Sequence, residues 1–329
     1  MGMHSMSQLT VSLLGSVQVR HEPHVASVLQ LGAVAPAVRP TRKVARLLAY
    51  LLLAGRHSHQ RDELADRFWS EQGINNARRC LSTAVWRLRQ IVEPKGIANG
   101  TYLLCEGGEE IAFNWDSDYR VDVVEFEACL DGALRMPPDQ MTLAAARKLE
   151  EGLEAYGGEL LCGVYDSWAL RERERLRVRY LDGLTQLMRF CRHVGDFHRG
   201  IEIGDKILEQ DPLREDVLRD LMRLHAGSGQ RSQAIRQYRE CHALLARELR
   251  VEPLEETQAL YREISAGGCC PDSRDRGKEG VVTAREALQQ LRAALDGVER
   301  ARAQVESCLP ALERQSQDGE DGSGPTRGR

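Results

Sequence analysis

A repeat with a period of 34 residues occupies the middle of the chain and strongly constrains its fold. The positions that recur are Leu184 and Leu218, Leu187 and Leu221, Met188 and Met222, Arg189 and Arg223, Gly195 and Gly229, and Ile201 and Ile235. Apolar residues at helical spacing, followed by a glycine, predict two helices joined by a tight turn. Such a pair cannot bury its apolar face alone, so neighbouring pairs must stack.

Helical periodicity extends on both sides of this repeat. It predicts helices at 122–135, 142–156, 167–194, 197–210, 214–227, 231–248 and 255–265. A 34-residue helix-turn-helix period is that of the tetratricopeptide repeat, and Asp211-Pro212 and Glu252-Pro253 mark the ends of the two units. The sequence therefore predicts an all-α, tetratricopeptide-like domain over residues 121–265. Arrays of this kind bind other proteins far more often than they catalyse reactions.

The first 120 residues show a different pattern. Alternating residues at 9–15 and 16–20 predict two strands, and helices are expected at 42–54, 62–69 and 75–92. Thr41 is a candidate N-cap and Gly55 a stop signal for the first helix, while the second should bury Leu64, Ala65 and Phe68. Segments 101–106 and 109–114 flank Gly107-Gly108 and predict a hairpin. This order predicts a winged helix-turn-helix domain, with the third helix as recognition element and the hairpin as wing.

The helix at 75–92 carries four arginines and no acidic residue. Its apolar stripe consists of Ala77, Leu81, Ala84, Val85, Leu88 and Val92. The other faces carry the candidate DNA-contacting residues Arg78, Arg79, Ser82, Thr83, Trp86, Arg87, Arg89 and Gln90. Arginine binds phosphates and guanine edges, glutamine binds adenine, and hydroxyls bind either. Two simpler interpretations remain open: a solvated arginine face, and Trp86 packed beneath the wing or another loop.

The distribution of charge supports a nucleic-acid interface confined to one part of the chain. The net charge is −4, yet residues 39–92 hold 11 basic and 4 acidic residues, a balance of +7, which leaves −11 for the remainder. A basic segment within an otherwise acidic chain is typical of a protein that binds nucleic acid through one region only. The wing itself is acidic, with Glu106, Glu109 and Glu110 near its turn, which argues against its insertion into the minor groove.

The C-terminal part begins with a Gly-, Ser- and charge-rich stretch at 266–282 that predicts a linker. Residues 283–315 then show a heptad seam. The seam consists of Leu288, Leu291, Leu295, Val298, Val305, Leu309 and Leu312, with Arg302 interrupting one position. Coiled-coil self-association and packing back on the repeats both fit this pattern. Pro310 should disturb the last turn, and the tail at 316–329 contains no apolar residue and is expected to be disordered.

Several classes of protein are disfavoured by the sequence. No apolar run is long enough for a membrane helix. The N-terminus lacks the basic segment followed by an apolar segment that is typical of a secretion signal. A cytoplasmic protein is therefore expected. The nine cysteines show no Cys-x-x-Cys spacing, and neither metal nor cofactor is predicted. The nine histidines accompany no nucleophile motif and no recognisable pair of carboxylates. The sequence therefore does not predict an enzyme.

Motifs along residues 9–265 resemble the bacterial transcriptional activator domain proteins, regulators best known from antibiotic-pathway activation. The matching stretches are Arg42–Leu53, Arg61–Trp69, Ala77–Arg89, Val121–Phe126, Tyr156–Leu161, Trp168–Leu176, Arg236–Cys241 and Glu248–Pro253. The resemblance implies that the N-terminal module binds promoter DNA, with the residues that match its recognition helix on helix 75–92. It also implies that the helical domain supports homodimer contacts and activation through RNA polymerase. A protein-interaction scaffold whose winged helix no longer binds DNA is the alternative.

Overall fold

A computed structural model describes residues 7–23, 37–105 and 107–267. The chain divides into two compact units, the first ending at Leu221 and the second beginning at Met222. The heptad segment at 283–315, the tail, most of the expected linker and Glu106 lie outside the described residues.

The N-terminal region alternates strands and helices. In chain order it contains β1 (Ser7–Ser12), β2 (Gln18–Pro23), α1 (Arg42–Leu53), β3 (His59–Gln60), α2 (Arg61–Trp69), α3 (Ile74–Val92), β4 (Leu103–Leu104), β5 (Glu110–Phe113) and β6 (Tyr119–Val121). One sheet has the order β2-β1-β6, in which β1 is antiparallel to β2 and parallel to β6. The other has the order β3-β5-β4, with both pairings antiparallel.

The winged helix-turn-helix architecture predicted from the sequence is confirmed. Its three helices begin and end within one residue of the expected positions, and the wing hairpin pairs Leu103 with Phe113 across a turn in which Gly107 and Gly108 both adopt positive φ. In addition, β3 joins the wing sheet, so the wing is hydrogen-bonded to the segment that enters α2.

Two local expectations in this region were wrong. Thr41 occupies the N-cap position of α1, but its side chain makes no capping hydrogen bond. In α2 the third buried apolar residue is Trp69 rather than Phe68. Phe68 is only half-buried because its ring lies at the edge of the core, against the rings of Tyr50 and Trp168.

The helical region begins directly after β6. It comprises α4 (Asp122–Leu134), α5 (Leu143–Ala155), α6 (Ser167–Val194), α7 (Phe197–Gln210), α8 (Glu215–Gly227), α9 (Arg231–Glu248) and α10 (Glu255–Ser265), each within one residue of prediction at both ends. Gly195 and Gly229, equivalent positions of the 34-residue repeat, both have φ of +80° and turn the chain between paired helices. At Gly204, a Cβ would lie 2.8 Å from Leu221 Cδ1 and 3.1 Å from Met188 Sδ, which explains why α7 carries glycine there.

The N-terminal sheet is hydrogen-bonded to the start of the helical region. The Asp122 carboxylate accepts hydrogen bonds from the backbone N–H groups of Leu13, Leu14 and Val123 at 2.8–2.9 Å. Burial raises the pKa of Asp122, and these three donors act in the opposite direction. The expected domain boundary at residue 120 therefore falls inside β6, and it stays a prediction.

Candidate nucleic-acid interface

The inward face of α3 anchors the helix to the winged-helix core. Its buried residues are Ala77, Leu81, Ala84, Val85, Leu88 and Val92, which confirms the apolar stripe predicted from the sequence. Fully burying a leucine or valine side chain contributes about 1.5–3 kcal/mol. This face therefore fixes which side chains of α3 remain available on the outside.

The outward face of α3 carries seven of the eight candidate residues. Arg78, Arg79, Ser82, Thr83, Trp86, Arg87 and Gln90 are exposed, whereas Arg89 is partly buried. The Trp86 side chain is 62% exposed, so no loop in the described part of the chain covers it. A large aromatic side chain that is solvent-exposed among arginines is unusual unless a binding partner covers it.

Two of the exposed residues, Arg78 and Ser82, make contacts that tie α3 to α2. Arg78 donates from Nε and Nη2 to the two carboxylate oxygens of Asp62, at 2.7 and 2.6 Å. This bidentate pair lowers the pKa of Asp62 and raises that of Arg78. Arg61 Nη2 donates to Ser82 Oγ at 2.9 Å. Neither Arg61 nor Asp62 was singled out in the sequence, although both lie at the start of a helix expected to adjoin α3.

The hydroxyl groups of α3 are turned towards its own backbone. Ser82 Oγ donates to the carbonyl of Arg78 at 2.9 Å, and Thr83 Oγ1 donates to the carbonyl of Arg79 at 3.0 Å. Both oxygens keep lone pairs that can accept hydrogen bonds. In this arrangement the hydroxyls are available as acceptors rather than as free donors.

We call the remaining exposed side chains of α3 uncommitted, because they have no polar partner in the described part of the chain. Within the described residues, the side chains of Arg79, Trp86, Arg87 and Gln90 form no hydrogen bond or ion pair. Two full positive charges, one amide and one indole are therefore presented together on a helix surface that has no acidic residue of its own.

Arg89 points towards the wing. Its Nη2 donates to the carbonyl of Leu103 at 3.3 Å and to Cys105 Sγ at 3.1 Å. Its Nε lies 3.4 Å from Glu93 Oε2. The arrangement does not place Arg89 with the exposed arginines, although the sequence grouped them together.

Glu93 is the main contributor to this region that the sequence did not reveal. Its side chain is fully buried beyond the last turn of α3. Oε1 accepts hydrogen bonds from the backbone N–H groups of Gly100, Tyr102 and Leu103 at 2.9–3.0 Å. Glu93 and Arg89 thus attach the end of α3 to β4, the first wing strand. A glutamate after a helix is ordinarily a surface residue, so no local signal identifies it.

The wing is anchored at its base. Gln60 Nε2 donates to Glu110 Oε1 at 2.6 Å, and the backbone N–H of Arg61 donates to the carbonyl of Glu109 at 2.9 Å. The Glu109 side chain is exposed. The described part of the turn therefore offers a nucleic acid no cation.

An aromatic cluster connects the winged helix to α6. The Trp168 ring lies edge-on to Tyr50 and Phe68, with centroids 5.3 and 6.3 Å apart. Arg46 forms an ion pair with Asp166 and lies over the Phe68 ring at 5.4 Å. α1 and α2 are thus packed against the beginning of α6.

The described residues contain neither a helix long and apolar enough to cross a membrane nor a group of three His, Cys, Asp or Glu side chains suited to a metal.

The fold defines a two-part protein, in which a winged helix-turn-helix module precedes a series of helix pairs. Residues 121–265 match the family model described as bacterial transcriptional activator domain. The match confirms the resemblance noted in the sequence motifs.

Characterised relatives carry names of transcriptional and regulatory proteins. The regulatory protein AfsR of Streptomyces coelicolor is 28% identical over 66% of this chain, which spans only 21% of AfsR. The transcriptional regulatory protein MoaR1 of Mycobacterium tuberculosis is 26% identical, over 79% of this chain and 83% of MoaR1. Both names describe regulatory proteins.

A solved structure shares the architecture. It is that of Mycobacterium tuberculosis EmbR in complex with a low-affinity phosphopeptide, with a TM-score of 0.65 and 20% sequence identity. The similarity covers 87% of this chain and 71% of EmbR. It supports the mainly helical fold with an N-terminal winged helix.

Proposed function

We propose that this protein is a transcriptional regulator, an activator of promoters, that binds double-stranded DNA through the outward face of α3. The observation that carries the proposal is the uncommitted group formed by Arg79, Trp86 and Arg87, exposed on the helix that the winged-helix fold uses for recognition. The names of the relatives support the regulatory role.

The geometry suggests different roles for the candidate residues. Arg79 and Arg87 supply contacts to phosphates or guanine edges, and Gln90 can bind an adenine edge. Trp86 packs on deoxyribose or a thymine methyl group. The remaining exposed residues, Arg78, Ser82 and Thr83, contribute less, because their polar groups already have partners within the protein. Arg89 holds the wing strand through Leu103 and Cys105, so it contributes less to DNA affinity than the exposed arginines do.

The proposal extends to partners. Because residues 121–265 match a bacterial transcriptional activator domain, we assign homodimer contacts and contact with RNA polymerase to the helical region. A cytoplasmic location follows from action on the chromosome. Pairing of two copies would raise affinity for adjacent sites by making the second binding event intramolecular.

A second candidate function is a protein-interaction scaffold without DNA binding. The acidic wing favours it, since Glu109 is exposed where a groove-inserting wing would carry cations. This candidate predicts no salt-dependent affinity for duplex DNA.

Replacement of Trp86 tests the proposal. A duplex is first selected from a random-sequence library with the full chain, and dissociation constants are then measured at fixed salt. Trp86→Ala should weaken binding about fivefold or more, or ~1 kcal/mol, because an apolar contact at the DNA surface is lost. Tyr165→Ala removes another exposed aromatic side chain, 71% accessible, outside α3, and should leave binding unchanged. Equal affinities of wild type and a folded Trp86→Ala variant would overturn the role of α3, and failure to select any duplex would favour the scaffold.

A further inference from the structure

The turn between α9 and α10 exposes a concentrated apolar patch. Leu249, Val251 and Leu254 are 54%, 48% and 54% exposed within six residues of sequence. No other stretch of that length in the described chain exposes three large apolar side chains. We call these three residues the 249–254 patch. Exposed apolar residues scattered singly are ordinary, but three in one short turn indicate a surface that another segment covers.

The patch lies just before the last described helix, α10. The exposed residues of α10 are mostly charged, among them Glu255, Arg262 and Glu263, so the apolar exposure is confined to the preceding turn. The chain continues for residues 268–329 beyond this point. It therefore contains enough sequence to supply a segment that covers the patch.

The sequence of 283–315 is better suited to packing on a globular surface than to pairing in a two-stranded coil. With Leu288 at heptad position a, the positions g are Ala287, Ala294, Ala301 and Cys308. Two-stranded coils place charged residues at g to pair with position e of the other helix. Small apolar residues at g instead widen the a/d seam to three positions in seven, as in a helix that packs on a protein core.

The connection is long enough for this segment to reach the patch. Residues 268–282 provide 15 residues, which can span up to about 50 Å. Leu254 is at the N-cap of α10, and the 11 residues of that helix cover only about 17 Å. The chain can therefore return alongside α10 and place an apolar helix over the 249–254 patch.

We propose that residues 283–315 form a helix that packs through its a, d and g positions on the 249–254 patch of the same chain. This assigns the heptad pattern to intramolecular packing. It makes the turn between α9 and α10 a surface that is covered when residues 283–315 are present.

Hydrogen exchange of the full chain, followed by mass spectrometry, tests the proposal. The double variant Leu291→Asp with Leu295→Asp places charges on the packing face, and peptides covering 249–260 should then exchange at least tenfold faster. Gln289→Asp with Gln290→Asp adds the same charge at positions b and c and should change nothing. Peptides from α6 provide an internal reference for global folding.

A reciprocal variant and the molecular mass complete the test. Val251→Asp with Leu254→Asp should accelerate exchange in peptides from 288–305, while the mass from light scattering stays the same in all variants. Unchanged exchange at 249–260 in the Leu291→Asp, Leu295→Asp variant would overturn the proposal. A halving of mass in that variant would also overturn it, because the segment would then join two chains.

Discussion

Glu93→Ala is expected to lower the free energy of unfolding by about 3–5 kcal/mol, the range for removing one partner of a buried charged network. The substitution leaves the N–H groups of Gly100, Tyr102 and Leu103 without their shared acceptor. It also leaves the partly buried guanidinium of Arg89 without its carboxylate. Each unsatisfied buried donor costs about 1–3 kcal/mol, and such costs are not fully additive.

Urea denaturation of the full chain measures this loss as a shift of the midpoint at constant m-value. Glu93→Gln keeps an acceptor oxygen and should lose less stability than Glu93→Ala. Glu71→Ala removes an exposed glutamate that precedes α3 and should change stability by no more than about 0.5 kcal/mol. A loss below about 1 kcal/mol for Glu93→Ala would show that the carboxylate does not hold the wing strand.

The second large effect concerns the salt dependence of DNA binding. Removing both uncommitted arginines, as Arg79→Ala with Arg87→Ala, should reduce the slope of log K against log salt by about 1.8, since each lost phosphate contact contributes about 0.9. Extrapolated from 1 M to 0.15 M salt, that change corresponds to about 30-fold weaker binding. Titration of a random-sequence duplex at several salt concentrations gives both quantities.

The control for this prediction carries the same change of net charge elsewhere. Arg171→Ala with Arg239→Ala removes two exposed arginines from α6 and α9 and should leave the slope within about 0.3 of the wild-type value. Equal losses of slope in both double variants would mean that binding follows overall charge rather than α3.

Periodic features of this protein could be predicted from its sequence. The apolar stripe of α3 follows from the 3.6-residue period, and the helix pairs follow from leucine spacing with glycines at Gly195 and Gly229. These signals are local, so they do not depend on knowing what each element packs against.

The contacts that organise the site could not be predicted in the same way. Arg89 and Arg87 lie two positions apart in one helix, yet only Arg89 contacts the wing, because the position of β4 decides the difference. The Glu93 carboxylate accepts a hydrogen bond from the backbone N–H of Tyr102, nine residues further along the chain. The Asp122 carboxylate accepts one from the backbone N–H of Leu13, 109 residues earlier. β6 contains only three residues and exists because β1 is beside it. Such features depend on tertiary structure, which single-residue patterns do not encode.

The central claim is that the outward face of α3 lies against DNA, and cross-linking tests it most directly. The full chain is bound to its selected duplex with 5-bromodeoxyuridine in place of thymidine, irradiated and digested with trypsin. Cleavage after Arg79 and Arg87 releases residues 80–87, a peptide that contains Trp86. This peptide should carry cross-linked nucleotide. Cross-links confined to peptides outside α3, in a complex of undiminished affinity, would contradict it.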